Sequence, residues 1–311
     1  MAKSVLDDAH FHNEEAAFAW VEARVWPEGP ICPHCGGFER IGKMGGRSTR
    51  LGTYKCYQCR KPFTVKVGTV FEASHVPMHL WLQAMFLLSS SKKGISSNQL
   101  HRTLGVTLKT AWFMSHRLRE AMRTVGLDPM GSDGNGMSGI VEADETFIGR
   151  EQGKEVKRAY HHKMKVLSLV DREKKQVRSV VIDDLKPSTI VPILEENIAK
   201  EASLHTDEAS VYLKVAPSFI DHQTTAHGQG EYVRGIVHTN TVEGYFSVFK
   251  RGMRGVYQHC DKKHLHRYLA EFDFRYNNRV KLGVNDVMRT ESLARGAVGK
   301  RLTYRTIGGR V

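Results

Sequence analysis

Carboxylates stand at three places in this chain where a carboxylate needs a reason. In GIVEADETFIG (139–149) the residues Ile140, Val141, Phe147 and Ile148 suit a buried strand, yet Glu142, Asp144 and Glu145 interrupt it. Burying a carboxylate costs several kcal/mol unless it is paired or bound to a cation. Asp207 follows a short apolar run in ASLHTDEASVY, and Glu243 lies in HTNTVEGYFSVFKRGMRG (238–255), seven residues before Lys250. Carboxylates a few ångströms apart repel unless hard cations sit between them, and such a site suits Mg²⁺. For Glu243 a local reading competes. Asn240 is a good N-cap, and an acid three residues later completes a capping box. On a helix opened by Asn240, Glu243, Ser247 and Lys250 share one face while Val242, Tyr245, Phe246 and Phe249 form the apolar side. Glu243 can cap that helix only if it does not reach the ions. His161, His162 and His238 are poor ligands for Mg²⁺ and are expected in surface or hydrogen-bonding roles. Tyr212 is expected to pack.

A second chemistry sits near the N-terminus. Four of the five cysteines form CPHC (32–35) and CYQC (56–59), with twenty residues between the pairs. Two residues between thiolates let a tight turn aim both sulfurs at one ion, and two such knuckles complete a tetrahedral zinc site. Cys32, Cys35, Cys56 and Cys59 fill all four positions, so the zinc is structural. Thr53–Tyr57 and Phe63–Val67 alternate as the strands of a ribbon. His34 is redundant as a ligand, and Cys260 stands alone.

These residues need a scaffold. KMKVLSLVDREKKQVRSVVID (163–183) reads as a hairpin and STIVPILEENIAKE (188–201) as an amphipathic helix. The order strand, strand, strand, helix, strand is that of an RNase H-like α/β domain with a mixed five-stranded sheet. Its first and fourth strands, neighbours at the centre, carry Asp144 and Asp207. Ahead of it, Pro77 to about Thr124 is helical. SSNQLHRTLGVTLKTAWFMSHRLREAM (96–122) reads as helix, turn at Gly105 and second helix, a helix-turn-helix-like segment exposing Lys109, His116, Arg117 and Arg119 to DNA. An ordinary αα-hairpin is the alternative. The expected organisation is a zinc ribbon with a short leading helix (1–70), the helical segment (77–125), a Gly-rich linker (126–139), the RNase H-like domain (140–290) and a loosely held basic tail (291–311).

With 311 residues, 46 Lys+Arg against 33 Asp+Glu and a formal charge of +13, the chain favours a polyanionic partner, nucleic acid first. Nine of these bases, from Lys250, Arg251 and Arg254 to Lys281, face three acids between 250 and 281. The N-terminus lacks the apolar core of a signal peptide. The most apolar helical stretch, Trp81 to Leu88, falls short of the ~20 residues that span a bilayer. A cytoplasmic location without membrane contact is expected, where paired cysteines argue for metal rather than disulfides.

Thirty-five residues separate Asp207 from Glu243, with Lys250 seven further on. This resembles the Asp-Asp-35-Glu signature of DDE transposases and retroviral-type integrases. HTNTVEGYFSVFKRGMRGVY, KKHLHRYLAEFDFRYNNR and HTDEASVY are similar to bacterial insertion-sequence transposases that carry a zinc ribbon before an ISXO-like transposase domain. The resemblance implies a transposase with Asp144, Asp207 and Glu243 holding two Mg²⁺ (or Mn²⁺) ions and Lys250 beside them. Such an enzyme cuts the element's ends and joins them to target DNA without a covalent protein–DNA intermediate. It implies DNA contacts from Arg251 and Arg254, and a homo-oligomer, at least a dimer, that brings two ends together. Some family members have Asn as the third ligand, which would be Asn240 here. The other readings are a non-catalytic zinc-ribbon and helix-turn-helix regulator, and an RNase H-like nuclease or resolvase.

Overall fold

The computed structural model describes residues 4–124, 126–132, 139–156 and 159–303. The chain forms two compact units, one from residues 1–124 with 280–311, the other from 125–279.

The first unit opens with helix α1 (Glu14–Val25), whose first turn is capped by Asn13 through the Ala16 N–H. Strands β1 (Ile41–Lys43), β2 (Tyr54–Cys56) and β3 (Pro62–Phe63) make a small antiparallel sheet in that order. The expected strand 63–67 ends at Phe63, because the Val67 N–H turns back to the Thr64 carbonyl. Helices α2 (Met78–Ser90), α3 (Ser97–Leu104) and α4 (Leu108–Met122) follow. Gly105, at φ +66°, ends α3 in the left-handed conformation that glycine adopts without a Cβ penalty. Thr107 then caps α4 through the Thr110 N–H.

The second unit is built on strands β4 (Ile140–Ile148), β5 (Met164–Asp171), β6 (Gln176–Ile182), β7 (Ser203–Asp207) and β8 (Asp221–Thr225), with helix α5 (Pro187–Asn197) between β6 and β7. The sheet order is β6-β5-β4-β7-β8. The β6–β5 and β5–β4 pairs are antiparallel, and β4–β7 and β7–β8 are parallel. This is the five-stranded mixed sheet expected from the sequence, with β4 and β7 adjacent at its centre. A short hairpin, β9 (Val233–Arg234) and β10 (Val237–His238), leads into helix α6 (Asn240–Gly252), a π-helical turn (Met253–Tyr257) and helix α7 (Lys262–Asn277).

Strand alternation divides the core in two. Val141 and Ala143 of β4 pack with Leu167, Leu169, Ile190 and Leu194. On the other side Ile148, Val166 and Val170 meet Val242, Tyr245, Phe246 and Phe249 of α6 and the Leu265, Leu269 and Phe272 stripe of α7. All eight residues of β5 are buried, as a strand covered on both faces requires.

Three expected boundaries shift. Within the expected linker, the Met130 N–H donates to the Asn197 carbonyl and Gly131 N–H to Asp171, so these residues belong to the sheet unit; residues 133–138 lie outside the described residues. Residues 280–290 belong to the first unit rather than to the sheet domain. Helix α8 (Asp286–Arg295), capped by Asn285, buries Leu293 and Ala294, and Thr290 hydrogen-bonds Ser89 at 2.8 Å. The stretch from 291 expected as a loose basic tail is therefore packed: Ala297 is also buried, and the Gly299 N–H donates to the Gly68 carbonyl. Its charged side chains had hidden a short amphipathic helix. The remainder from 304 lies outside the described residues. Among the described residues no helix is long and apolar enough to cross a membrane.

Candidate active site

In the ribbon, Cys32 and Cys35 precede β1, Cys56 ends β2, and Cys59 lies in the turn before β3. The Sγ–Sγ distances are 3.6 Å for Cys32–Cys59 and 3.7 Å for Cys35–Cys56, and all four sulfurs lie within 4.8 Å of one another. A Zn–S bond of about 2.3 Å gives a tetrahedral edge of about 3.8 Å, so the four thiolates fit one zinc ion with no open position. Beneath them Trp26, Tyr54 and Phe63 pack ring against ring. His34 is exposed.

The three acids of β4 separate into three environments. Glu142 is fully buried. Its Oε2 accepts the backbone N–H groups of Thr241 and Val242, both at 2.9 Å, and its Oε1 accepts from Thr241 Oγ1 at 2.6 Å and Arg172 Nε at 2.5 Å. A carboxylate at the positive end of a helix dipole, with a guanidinium beside it, is well compensated. Glu145 has a different partner: Tyr212, fully buried, donates its hydroxyl to Glu145 Oε1 at 2.6 Å. Burial pushes Glu145 up to about 7, the Tyr212 hydrogen bond opposes the rise, and the charge of Asp207 adds to it.

Among the described residues Asp144 has no cationic or hydroxyl partner of this kind. Burial first, then the charges of Glu145, Asp207 and Glu243, push its carboxyl up to about 8, against the opposing hydrogen bond from the Glu145 N–H. The pairing of β4 with β7 runs Ile140↔Ser203, Val141↔Leu204, Glu142↔His205. Two residues further, that register sets Asp207 beside Asp144. Glu243 projects from the first turn of α6, largely exposed, and accepts from Thr239 Oγ1 at 3.1 Å, with His227 Nδ1 at 3.9 Å. Lys250, two turns along, is lowered by burial and by Arg254 and Lys163, while Asp144 and Glu243 pull the other way. Strands β4 and β7 and helix α6 thus bring the charges of Asp207 and Glu243 to bear on Asp144, and those of Asp144 and Glu243 on Lys250. Among the described residues only the four cysteines are drawn together within 4.8 Å as a potential metal cage; the three carboxylates stand wider.

Several expectations change. The capping box at Asn240 does not form: Thr239 occupies the N-cap position and Asn240 is the first helical residue, exposed. Glu142 caps the helix from the sheet instead, so Glu243 is not needed for that role. Arg117, Arg119 and His116 are buried rather than presented to DNA. Arg117 donates to the carbonyls of Val70, Glu72 and Leu302, and Arg119 to Ser115 Oγ. Lys109, Arg251 and Arg254 are exposed. Of the nine bases between 250 and 281, Lys262 pairs with Glu151 and Asp183, Lys263 with Asp261, and Arg275 with Glu271. Tyr212 packs in the core as expected, but its hydrogen bond to Glu145 and the roles of Glu142 and Arg172 were not foreseen from the sequence. The available signal was a further acid two residues before Asp144, on the same face of the strand.

Comparison with known proteins agrees with this anatomy. Residues 12–62 match the transposase zinc-ribbon domain and residues 136–277 the ISXO2-like transposase domain. A protein of the transposable element ISH50 from Halobacterium salinarum, itself uncharacterized, is 27% identical over 285 residues, covering 85% of this chain and 91% of that protein. Among solved structures, a chain from the cryo-EM structure of a simian T-cell lymphotropic virus intasome in complex with PP2A regulatory subunit B56 gamma matches at 13% identity, 62% of this chain, 65% of that chain and a TM-score of 0.29. That match spans less than two thirds of the viral complex's chain and is too slight to bear on the fold. A four-cysteine ribbon stands ahead of a mixed five-stranded sheet, and the two matches fall on those parts: the chain carries a transposase zinc-ribbon domain followed by an ISXO2-like transposase domain.

Proposed function

We propose that this transposase cuts the ends of an insertion sequence and joins their 3′-OH groups to target DNA by two-metal-ion phosphoryl transfer, with Asp144, Asp207 and Glu243 as the ligands for Mg²⁺ (or Mn²⁺). The observation that carries the reading is the state of Asp144, pushed up to about 8 by burial and by Glu145, Asp207 and Glu243. A carboxyl so crowded by negative charge is relieved by a proton or by a cation, and hard oxygen donors suit Mg²⁺. Held by Asp144, Asp207 and Glu243, two such ions would supply an activated water and charge stabilisation for the leaving 3′-oxygen.

The chain's own residues do the rest. Asp144 on β4 and Asp207 on β7 are held by the sheet, so their relation is rigid, while Glu243 arrives on a separate helix. Glu243 is favoured over Asn240 as the third ligand because its charge bears on both Asp144 and Lys250, and a carboxylate neutralises a divalent ion better than an amide. Lys250 balances the acids and, with exposed Arg251 and Arg254, offers a phosphate-binding edge next to them. Lys109 on α4 is the remaining contact proposed for DNA in the helical segment. A homo-oligomer, at least a dimer, brings two ends together.

The test uses purified protein, Mg²⁺ and DNA carrying the element's terminal repeats. Supplied with pre-cut ends bearing free 3′-OH groups, a transposase inserts them into a plasmid. A nuclease or resolvase of the same fold cuts without inserting, and a regulator only binds.

A further inference from the structure

We infer that Glu142 and Arg172 are a positioning pair that sets the cation affinity of the acidic site by clamping helix α6 to strand β4, an inference that rests on Asp144, Asp207 and Glu243 being the ligands. Glu142 is itself no ligand. Four donors occupy its two oxygens: the Thr241 and Val242 N–H groups, Thr241 Oγ1 and Arg172 Nε. It lies wholly inside the protein, on the same face of β4 as Asp144. The clamp grips Val242, the residue immediately before Glu243. One carboxylate therefore ties the strand that carries the first ligand to the helix turn that carries the third.

Arg172 extends the clamp to the segment entering α6. Its guanidinium donates to the Ile236 carbonyl at 2.6 Å, the His238 carbonyl at 2.7 Å and His238 Nδ1 at 2.8 Å. As an acceptor from Arg172, Nδ1 carries no proton, so its 3.3 Å approach to Glu142 Oε1 is not an ion pair. Helix α6 has no local side-chain cap of its own. Its first turn is thus registered on the sheet by this network, and Mg²⁺ tolerates little error in ligand placement. Partners one step behind the ligands commonly set metal affinity in this way.

The test is Mn²⁺ binding to the zinc-loaded, full-length protein, followed by loss of the free-ion electron paramagnetic resonance signal, alongside binding of terminal-repeat DNA without metal. Glu142→Gln keeps an acceptor for the helix amides but presents an amide to Arg172. It is expected to weaken Mn²⁺ binding about tenfold or more while leaving DNA binding unchanged. Thr241→Val, which removes one hydroxyl and keeps the shape of the side chain, is expected to weaken it about threefold. Parental Mn²⁺ affinity in a folded Glu142→Gln protein overturns the inference; if that variant does not fold, parental affinity in Thr241→Val does so. Glu243→Gln separates the layers. If it loses Mn²⁺ while Glu142→Gln keeps it, only the positioning role fails; if Glu243→Gln binds Mn²⁺ as the parent does, the ligand reading fails and this inference with it.

Discussion

The Tyr212 phenol donates a 2.6 Å hydrogen bond to Glu145, the immediate neighbour of Asp144 on the central strand. Tyr212 is part of the core formed with Val141, Ala143 and Leu204, so a polar contact at the edge of the acidic site is anchored in apolar packing. Replacing it with Phe keeps the ring and removes the donor, leaving Glu145 half-satisfied in a half-buried place. Tyr212→Phe should cost about 1–3 kcal/mol in urea denaturation.

The crowded acids make a prediction about pH. Asp144 stands at about 8 and Glu145 at about 7 in the folded chain, above the values near 4 expected when unfolded. Between those limits the folded state holds more protons than the unfolded one, so this contribution is complete in acid and is lost as pH rises through 7 to 8. His205, held down to about 4 by burial, acts in the opposite sense below about pH 6.5. The clear window is therefore above neutrality's lower edge: without divalent cations, the melting temperature should fall between about pH 6.5 and 8. Saturating Mg²⁺ or Mn²⁺ should flatten that fall, since a cation replaces the proton. Calorimetry across the range checks both slopes, and a metal-free protein that grows more stable towards pH 8 would remove the basis for a crowded site.

Zinc removal should act on the first unit alone. The ribbon's three short strands enclose a small core, and structural zinc supplies about 10–16 kcal/mol of apparent binding energy in such modules. Cys32→Ser or Cys56→Ser should expose the ribbon to limited proteolysis and weaken terminal-repeat binding, while the 140–277 region keeps its protected fragment. Equal protease resistance in variant and parent would show that the cysteines hold no structural ion.

Arg117 and Lys109 should part company. Arg117 serves three backbone carbonyls from inside the protein. Arg117→Ala should lose about 1–3 kcal/mol of stability through those orphaned acceptors, with DNA affinity of the folded fraction unchanged. Lys109→Ala should leave the melting temperature alone and lower the salt dependence of DNA binding by about one unit of slope.

The ribbon and the sheet order were legible because their signals are local: paired cysteines two apart, and runs of alternating residues between turns. Asp144 and Asp207 could be placed side by side once the strand order was read. Glu142 could not be interpreted, because its four donors come from residues 30, 99 and 100 positions away. Without them it was one more acid in a strand. The N-cap of α6 was misplaced by one residue for the same reason, since the cap arrives from the sheet. Arg117 and Arg119 were read by charge, yet both project into the first unit, where carbonyls and Ser115 receive them. Basic residues on a helix report exposure only when nothing inside can accept their hydrogen bonds.

The central claim is that Glu243 is a metal ligand beside Asp144 and Asp207. The direct measurement is joining of pre-cut terminal-repeat ends to a plasmid in Mg²⁺, by Glu243→Gln and Asn240→Ala alongside Asp144→Asn and Asp207→Asn. Since Glu142 caps α6 and Asn240 is exposed, Asn240→Ala should join ends at close to the parental rate. Glu243→Gln should be nearly inactive, like the two Asp→Asn proteins, while still binding the ends. A Glu243→Gln protein that joins ends at the parental rate, beside an inactive Asn240→Ala, would contradict the account and move the third ligand to Asn240.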